Sequence, residues 1–204
     1  MSAPPKTVVM AAPEEEAAIR AAVREARGLE RLPGRRALAR AEDAAAFADF
    51  LSDPAVSDPI YDLPRPFTEA NVRAWIEERV LRQARGEAIL SFMWDEAGAI
   101  ASYSDVEIWP DRASGEIAGA MRRDRQNSGE GGAGMGAMLG WMFEELGVRL
   151  IGLTAALDNV RSARMIDAAG FTRMGGRDCV RPDGSVRASL YWEMTRDHWR
   201  AQAR

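Results

Sequence analysis

Five glycines, Gly129, Gly131, Gly132, Gly134 and Gly136, crowd into eight residues directly ahead of a stretch with helical periodicity. Each ordered glycine costs about 0.5–1 kcal/mol of extra backbone entropy, so the cluster costs on the order of 3–5 kcal/mol. That is a large share of an ordinary domain's stability. Close approach of a ligand to bare backbone is the physical reason to carry it, and amides at the mouth of a helix gather an anion, pyrophosphate above all. The competing reading is a flexible connector between strand and helix. Downstream, Asn159 and Ser162 open another helix behind an apolar strand. There an amide and a hydroxyl either meet a leaving group or cap the helix. Upstream, Asp105, Glu107 and Glu116 lie on strand-like stretches and are carboxylates able to take a proton from an amine. On alternating strands some of them face solvent instead.

Other chemistry is excluded by what the chain lacks. Lys6 is the single lysine, so there is no phosphate-loop or Schiff-base lysine in the interior of the sequence. His198 and Cys179 are also single, which leaves no metal cluster, no disulfide within the chain and no histidine relay of the usual kind. We expect no metal, and we read His198 and Cys179 as structural. With 27 basic and 31 acidic side chains the net charge is −4. Such a chain lacks the basic face that nucleic acid requires. No apolar run is long enough to span a bilayer, and the apolar patch Val8 to Ala12 is too short for a signal peptide. The expectation is a soluble, cytoplasmic protein with neither nucleic acid nor membrane as partner. Its 204 residues, 47% of them hydrophobic, suffice for one domain with a sizeable core.

The elements that must position these residues follow from pattern. Pro13 and Glu14 to Glu16 open a helix whose arginines fall toward its other end. Its apolar positions are mostly alanine, which predicts a solvated extension, with a homodimer contact as the other possibility. Residues 1–29 are thus set apart from a domain at 30–204. A short strand is expected at 35–39 and a helix at about 42–51. The segment from Ser52 to Phe67, with four prolines and three aspartates, reads as loop. Thr68 caps a helix that runs to about Ala84. Strands are expected at 87–94, 99–109 and 115–121, then the glycine-rich loop, a helix from about Ala133, a strand at 148–156, a helix at 162–169 and a hairpin turning at Asp183-Gly184. The order is β-α-α-β-β-β-α-β-α-β-β, an α+β layout on one mixed, mostly antiparallel sheet flanked by helices.

Two nucleotide-bearing guests compete for the glycines. Gly129, Gly131 and Gly134 fit a dinucleotide fingerprint, with Asp158 as the ribose-binding acid of an NAD-dependent oxidoreductase. Too little chain follows Asp158 to complete a doubly wound sheet, and seven polar or charged residues separate the preceding strand from Gly129. The other guest is coenzyme A. Gly131-Gly132-Ala133-Gly134-Met135-Gly136 resembles the acyl-CoA pyrophosphate loop of the GNAT acetyltransferases, Gln/Arg-x-x-Gly-x-Gly/Ala. Asn159-Val160-Arg161-Ser162 with Ala169-Gly170-Phe171 resembles their next motif. The branch most similar is that of the ribosomal-protein N-terminal acetyltransferases (RimJ/RimL-like), on Phe143-Glu144-Glu145-Leu146-Gly147 and Arg196-Asp197-His198-Trp199. The likeness covers about residues 35–200. Gly131 stands where the family usually has Gln or Arg.

The resemblance implies acetyl transfer from acetyl-CoA, as co-substrate, to a primary amine on a peptide or small molecule. It assigns Ala120, Met121 and Arg122 to the pantetheine arm, Gly131, Gly132, Ala133, Gly134, Met135 and Gly136 to the pyrophosphate, and Asn159 and Ser162 to the departing thiol. Many relatives place a tyrosine where this chain has Ile166, which makes Ser162 the candidate acid; Glu116 is the candidate base, with Asp105 and Glu107 behind it. Acceptor contacts are expected from the proline-rich loop, where Asp53, Asp58 and Asp62 outnumber Arg65. A catalytically silent acyl-CoA-binding module on the same fold is the rival reading.

Overall fold

The computed structural model describes residues 3–126 and 130–202. In chain order the elements are α1 (Pro13–Arg24), β1 (Arg35–Leu38), α2 (Ala44–Leu51), α3 (Pro54–Ser57), α4 (Glu69–Ala84), β2 (Ala88–Trp94), β3 (Ile100–Trp109), β4 (Ser114–Met121), α5 (Glu130–Glu144), β5 (Leu150–Ala156), α6 (Val160–Ala168), β6 (Thr172–Val180), β7 (Val186–Thr195) and α7 (Arg196–Gln202). Local chemistry explains most boundaries. The Thr68 hydroxyl accepts from Asn71 N at the head of α4, and Asn159 Oδ1 accepts from Ser162 N at the head of α6. Gly184 takes φ +83° in the β6–β7 turn, a conformation open to glycine at no steric cost. The Pro-rich segment 52–67 is not wholly loop: Asp53 caps the short α3 through Ala55 N.

The seven strands form one sheet in the order β1-β2-β3-β4-β5-β7-β6. Every neighbouring pair is antiparallel except β4–β5. A doubly wound parallel sheet is therefore absent, and the dinucleotide reading of Gly129, Gly131, Gly134 and Asp158 falls with it; Gly129 itself lies outside the described residues.

Strand alternation divides the core in two. On one face Phe47 of α2 meets Phe50, Trp75, Phe92 and Tyr103, with α4 closing the layer. On the other, α5 and α6 cover Ile117, Ile151, Leu153 and Trp192. The helix α1 joins this second layer. Ile19, Ala22 and Val23 are buried there, so the expectation of a solvated extension is corrected. Alanines at its apolar positions leave room for close packing rather than weakening it. The preceding tail is also held: Thr7 N donates to Glu193 Oε1, and Arg177 donates to the carbonyls of Ala3 and Pro4. Among the described residues no helix is long and apolar enough to cross a membrane.

Candidate active site

β4 keeps its full length paired to β3, and β5 its full length to β7. Against each other they pair only over Ser114–Glu116 and Leu150–Gly152, and then they part. Past that point Ile117 to Met121 has no strand on its β5 side, so backbone groups of an interior strand are left for a guest. A cavity of about 670 Å³ opens there, of the size that holds a cofactor or substrate. Its lining brings together Glu116, Ala120, Met121, Gly131, Gly132, Ala133, Gly134, Met135, Asn159 and Ser162 from β4, α5 and the head of α6.

Two of the assigned residues stand apart from that lining. Arg122 donates its backbone N–H to Ala101 O and pairs its guanidinium with Asp95 and Asp124, at 2.7 and 2.9 Å. Gly136 is exposed on α5. The helix expected from about Ala133 begins earlier, at Glu130, so Gly131 and Gly132 are helical as well and Gly131 to Gly136 form the first turns of α5. Burial of Met138, Leu139, Met142 and Phe143 anchors the helix strongly enough to outweigh a penalty of about 1 kcal/mol per helical glycine. Amides of the first turn, those of Gly131 and Gly132 among them, have no acceptor inside a helix, whereas those of Gly134 and Gly136 do. A Cβ built on Gly132, Gly134 or Gly136 would meet no atom within 4 Å. Packing within the chain therefore does not require these glycines. They leave open space at the helix mouth.

On the opposite face of the sheet the same cavity is lined by Glu116, Thr154, Tyr103 and Asp62. Glu116 is buried on β4 and accepts from the Thr154 hydroxyl at 3.3 Å. Its neighbours across β3 are committed elsewhere. Glu107 accepts from both Arg79 and Arg82 of α4, and Asp105 pairs with Arg79 at 2.8 Å. Burial pushes the Asp105 carboxyl up to about 7, with Arg79 opposing the shift and Asp62 and Glu107 adding to it. Burial alone would lower the Arg79 guanidinium, but the charges of Asp105, Glu107 and Asp62 hold it above its ordinary value. Among the described residues the buried Tyr103 hydroxyl has no hydrogen-bond partner, and burial carries it well above the usual phenol range.

Asn159 acts as the helix cap, while the Ser162 hydroxyl lines the cavity and makes no hydrogen bond among the described residues. Of the acidic loop, Asp62 alone reaches the cavity; Asp53 caps α3 and Asp58 is exposed. Arg187 of β7 was not foreseen as part of the lining. It donates to Pro59 O at 2.8 Å and lies 4.6 Å from the Tyr61 ring centroid. Period-two alternation on β3 carried the signal for Tyr103, whereas nothing local to Arg187 tells that β7 returns to this wall.

A family profile described as an acetyltransferase (GNAT) domain matches residues 36–172. Solved structures of similar shape include the ribosomal-protein-S5-alanine acetyltransferase from Vibrio fischeri, 16% identical with a TM-score of 0.67 over 80% of this chain and 93% of that one. RimJ of Mycobacterium smegmatis, in complex with CoA-disulfide, is 17% identical with a TM-score of 0.68 over 79% and 81% of the two chains. RimL, a ribosomal L7/L12 α-N-protein acetyltransferase in complex with coenzyme A, gives 17%, 0.68, and 80% and 94%. At these identities the likeness is one of fold. Among curated protein sequences none matches.

Proposed function

The chain belongs to the GNAT acetyltransferase family, that of CoA-dependent N-acetyltransferases, and on that premise we propose that it moves acetyl from acetyl-CoA directly to a primary amine. The observation that carries this reading is the parting of β4 from β5 into a cavity that meets the glycine-bearing end of α5 on one face and Glu116 on the other. Acetyl-CoA supplies an activated thioester. The first-turn amides of α5 hold its diphosphate, with the bare Gly132 and Gly134 leaving room for it. The open edge of β4 up to Ala120 and Met121 bonds the pantetheine arm, and a backbone N–H near Met121 polarises the carbonyl. Glu116 accepts the proton of the attacking amine, and Ser162 returns one to the departing sulfur.

An α-amine, with an ordinary pKa near 7.7–8.0, gives up its proton at pH 7 for roughly 1–1.4 kcal/mol, against about 4.6 for a lysine side chain. Asp62 and Glu116, with Arg187 beside them, leave the acceptor wall a slight acidic excess, which suits a peptide N-terminus or a small amine. Residues 1–29 we read as an addition to an acyltransferase domain at 30–204, with α1 contributing to the core.

The test is release of free CoA thiol from acetyl-CoA over a panel of peptides and small amines. Sustained release with any member supports the reading. Tight CoA binding without turnover across the panel favours the silent acyl-CoA module instead.

A further inference from the structure

Arg36 is a half-buried guanidinium on the cavity wall that, among the described residues, pairs with no carboxylate. Through the register Arg36↔Met93, Leu38↔Ser91 and Ser91↔Ser104, it shares the sheet face covered by α1 and α5, since Leu38 packs into that core. One terminal nitrogen donates to both Ser91 Oγ and Ser104 Oγ at 3.2 Å. Its Nε is buried with no partner, and among the described residues no carboxylate pairs with it. Burial, with nothing opposing it, lowers its pKa. Arg79, on the opposite face, shows the usual solution to the same problem, with Asp105 and Glu107 at 2.8 and 2.9 Å. A half-buried cation held only by neutral hydroxyls bears a desolvation cost that an anion would relieve.

The anion has somewhere to sit. The cavity extends from Gly131 and Met121 over Gly119 to Ser102, Ser104 and Arg36, with Pro33 and Met93 as its apolar edge. This arm lies on the α5 side of the sheet, the side from which the donor enters in the reading above. The planar fork of arginine, with its second terminal nitrogen uncommitted, matches the two oxygens of a carboxylate or phosphate.

We propose that Arg36, with Ser104 and Ser102 beside it, is an oxyanion subsite of the donor pocket, taking a phosphate or a carboxylate carried by the CoA thioester. The inference rests on the donor reading for its occupant but not for its chemistry. Binding of CoA, 3′-dephospho-CoA and succinyl-CoA is measured by calorimetry on the wild type, Arg36→Gln and Arg36→Lys. A loss of roughly ten- to a hundredfold for Arg36→Gln, at the ligand that carries the oxyanion, is expected. Loss for CoA but not for 3′-dephospho-CoA identifies the 3′-phosphate. Loss for succinyl-CoA alone identifies the acyl carboxylate. Loss for all three that Arg36→Lys restores identifies the diphosphate. Unchanged affinities, or a common loss that Arg36→Lys does not restore, overturn the proposal. A wild type that fails to bind CoA sinks the donor reading separately. The subsite is then judged by melting in inorganic phosphate or succinate, which must raise the Tm of the wild type above that of Arg36→Gln; equal shifts or none overturn it. If Arg36→Gln does not fold, Arg36→Met, which removes the same charge and keeps an apolar stem, replaces it, with the same outcomes read the same way.

Discussion

Thr154 on β5 donates its hydroxyl to Glu116 Oε1 on β4 across 3.3 Å, just beyond the last backbone pair, Glu116 with Gly152. A side-chain bond thus spans the gap where the two strands part, and it orients the carboxylate at the head of the cavity. Replacing Glu116 by Gln keeps the shape and removes the proton acceptor. We expect turnover to fall roughly a hundredfold with KM for acetyl-CoA little changed. Steady-state kinetics check this, and an unaltered kcat would move the base elsewhere.

The Ser162 hydroxyl faces the cavity with no bond within the described chain. Ser162→Ala is expected to slow acetyl transfer about tenfold with acetyl-CoA, and less with a thioester whose thiol is more acidic, because a better leaving group needs less help from an acid. Equal slowing with both donors would reduce Ser162 to a packing role.

Gly134 lies inside α5, and a Cβ there meets no atom within 4 Å. Gly134→Ala should therefore raise stability by about 0.5–1 kcal/mol through helix propensity. The same methyl intrudes on the space reserved for the donor, so CoA affinity should fall. Thermal melts and calorimetry on one variant give two readouts of opposite sign; unweakened binding would take Gly134 out of the donor site.

Asp105 has a folded-state pKa of about 7 against an ordinary value of 3.8. The folded protein holds this proton where the unfolded chain has lost it, so the contribution of Asp105 is most favourable below pH 4. It declines as pH rises toward 7 and is flat above, an effect on the order of a few kcal/mol. Asp105→Asn should remove that slope, whatever its absolute cost through the lost contact with Arg79. Denaturant titrations between pH 4.5 and 8 measure it; parallel curves for the two proteins would mean Asp105 titrates normally.

Ile19 of α1 is 2% exposed within the α5 layer. Ile19→Ala should destabilise by about 2–5 kcal/mol, the range for a large core side chain. A loss below about 0.5 kcal/mol, typical of surface positions, would return α1 to solvent.

Local order was legible in the residues themselves. Thr68 and Asn159 announce helix starts because a side-chain oxygen three residues before a free N–H satisfies it whatever the rest of the chain does. Asp183-Gly184 announces a turn for a similar reason, and the strands expected at 87–94, 99–109, 115–121 and 148–156 formed close to those limits. The glycines were read as a loop giving way to helix at about Ala133, whereas α5 already takes in Gly131 and Gly132. Helix or loop at Gly131 to Gly136 was decided by the burial of Met138 to Phe143, which lies outside the glycine segment.

Chain order and residue type by themselves determined the α+β layout and the family resemblance borne by Gly131–Gly136 and Asn159–Ser162. Tertiary structure alone decided that β4 and β5 part after Glu116, that Asp105 and Glu107 are tied to α4 while Glu116 lines the cavity, and that Arg36 meets no carboxylate among the described residues. The reason is range. Caps, turns and periodicity act over a few bonds and are written locally, whereas burial, charge pairing and strand divergence depend on segments far apart in sequence.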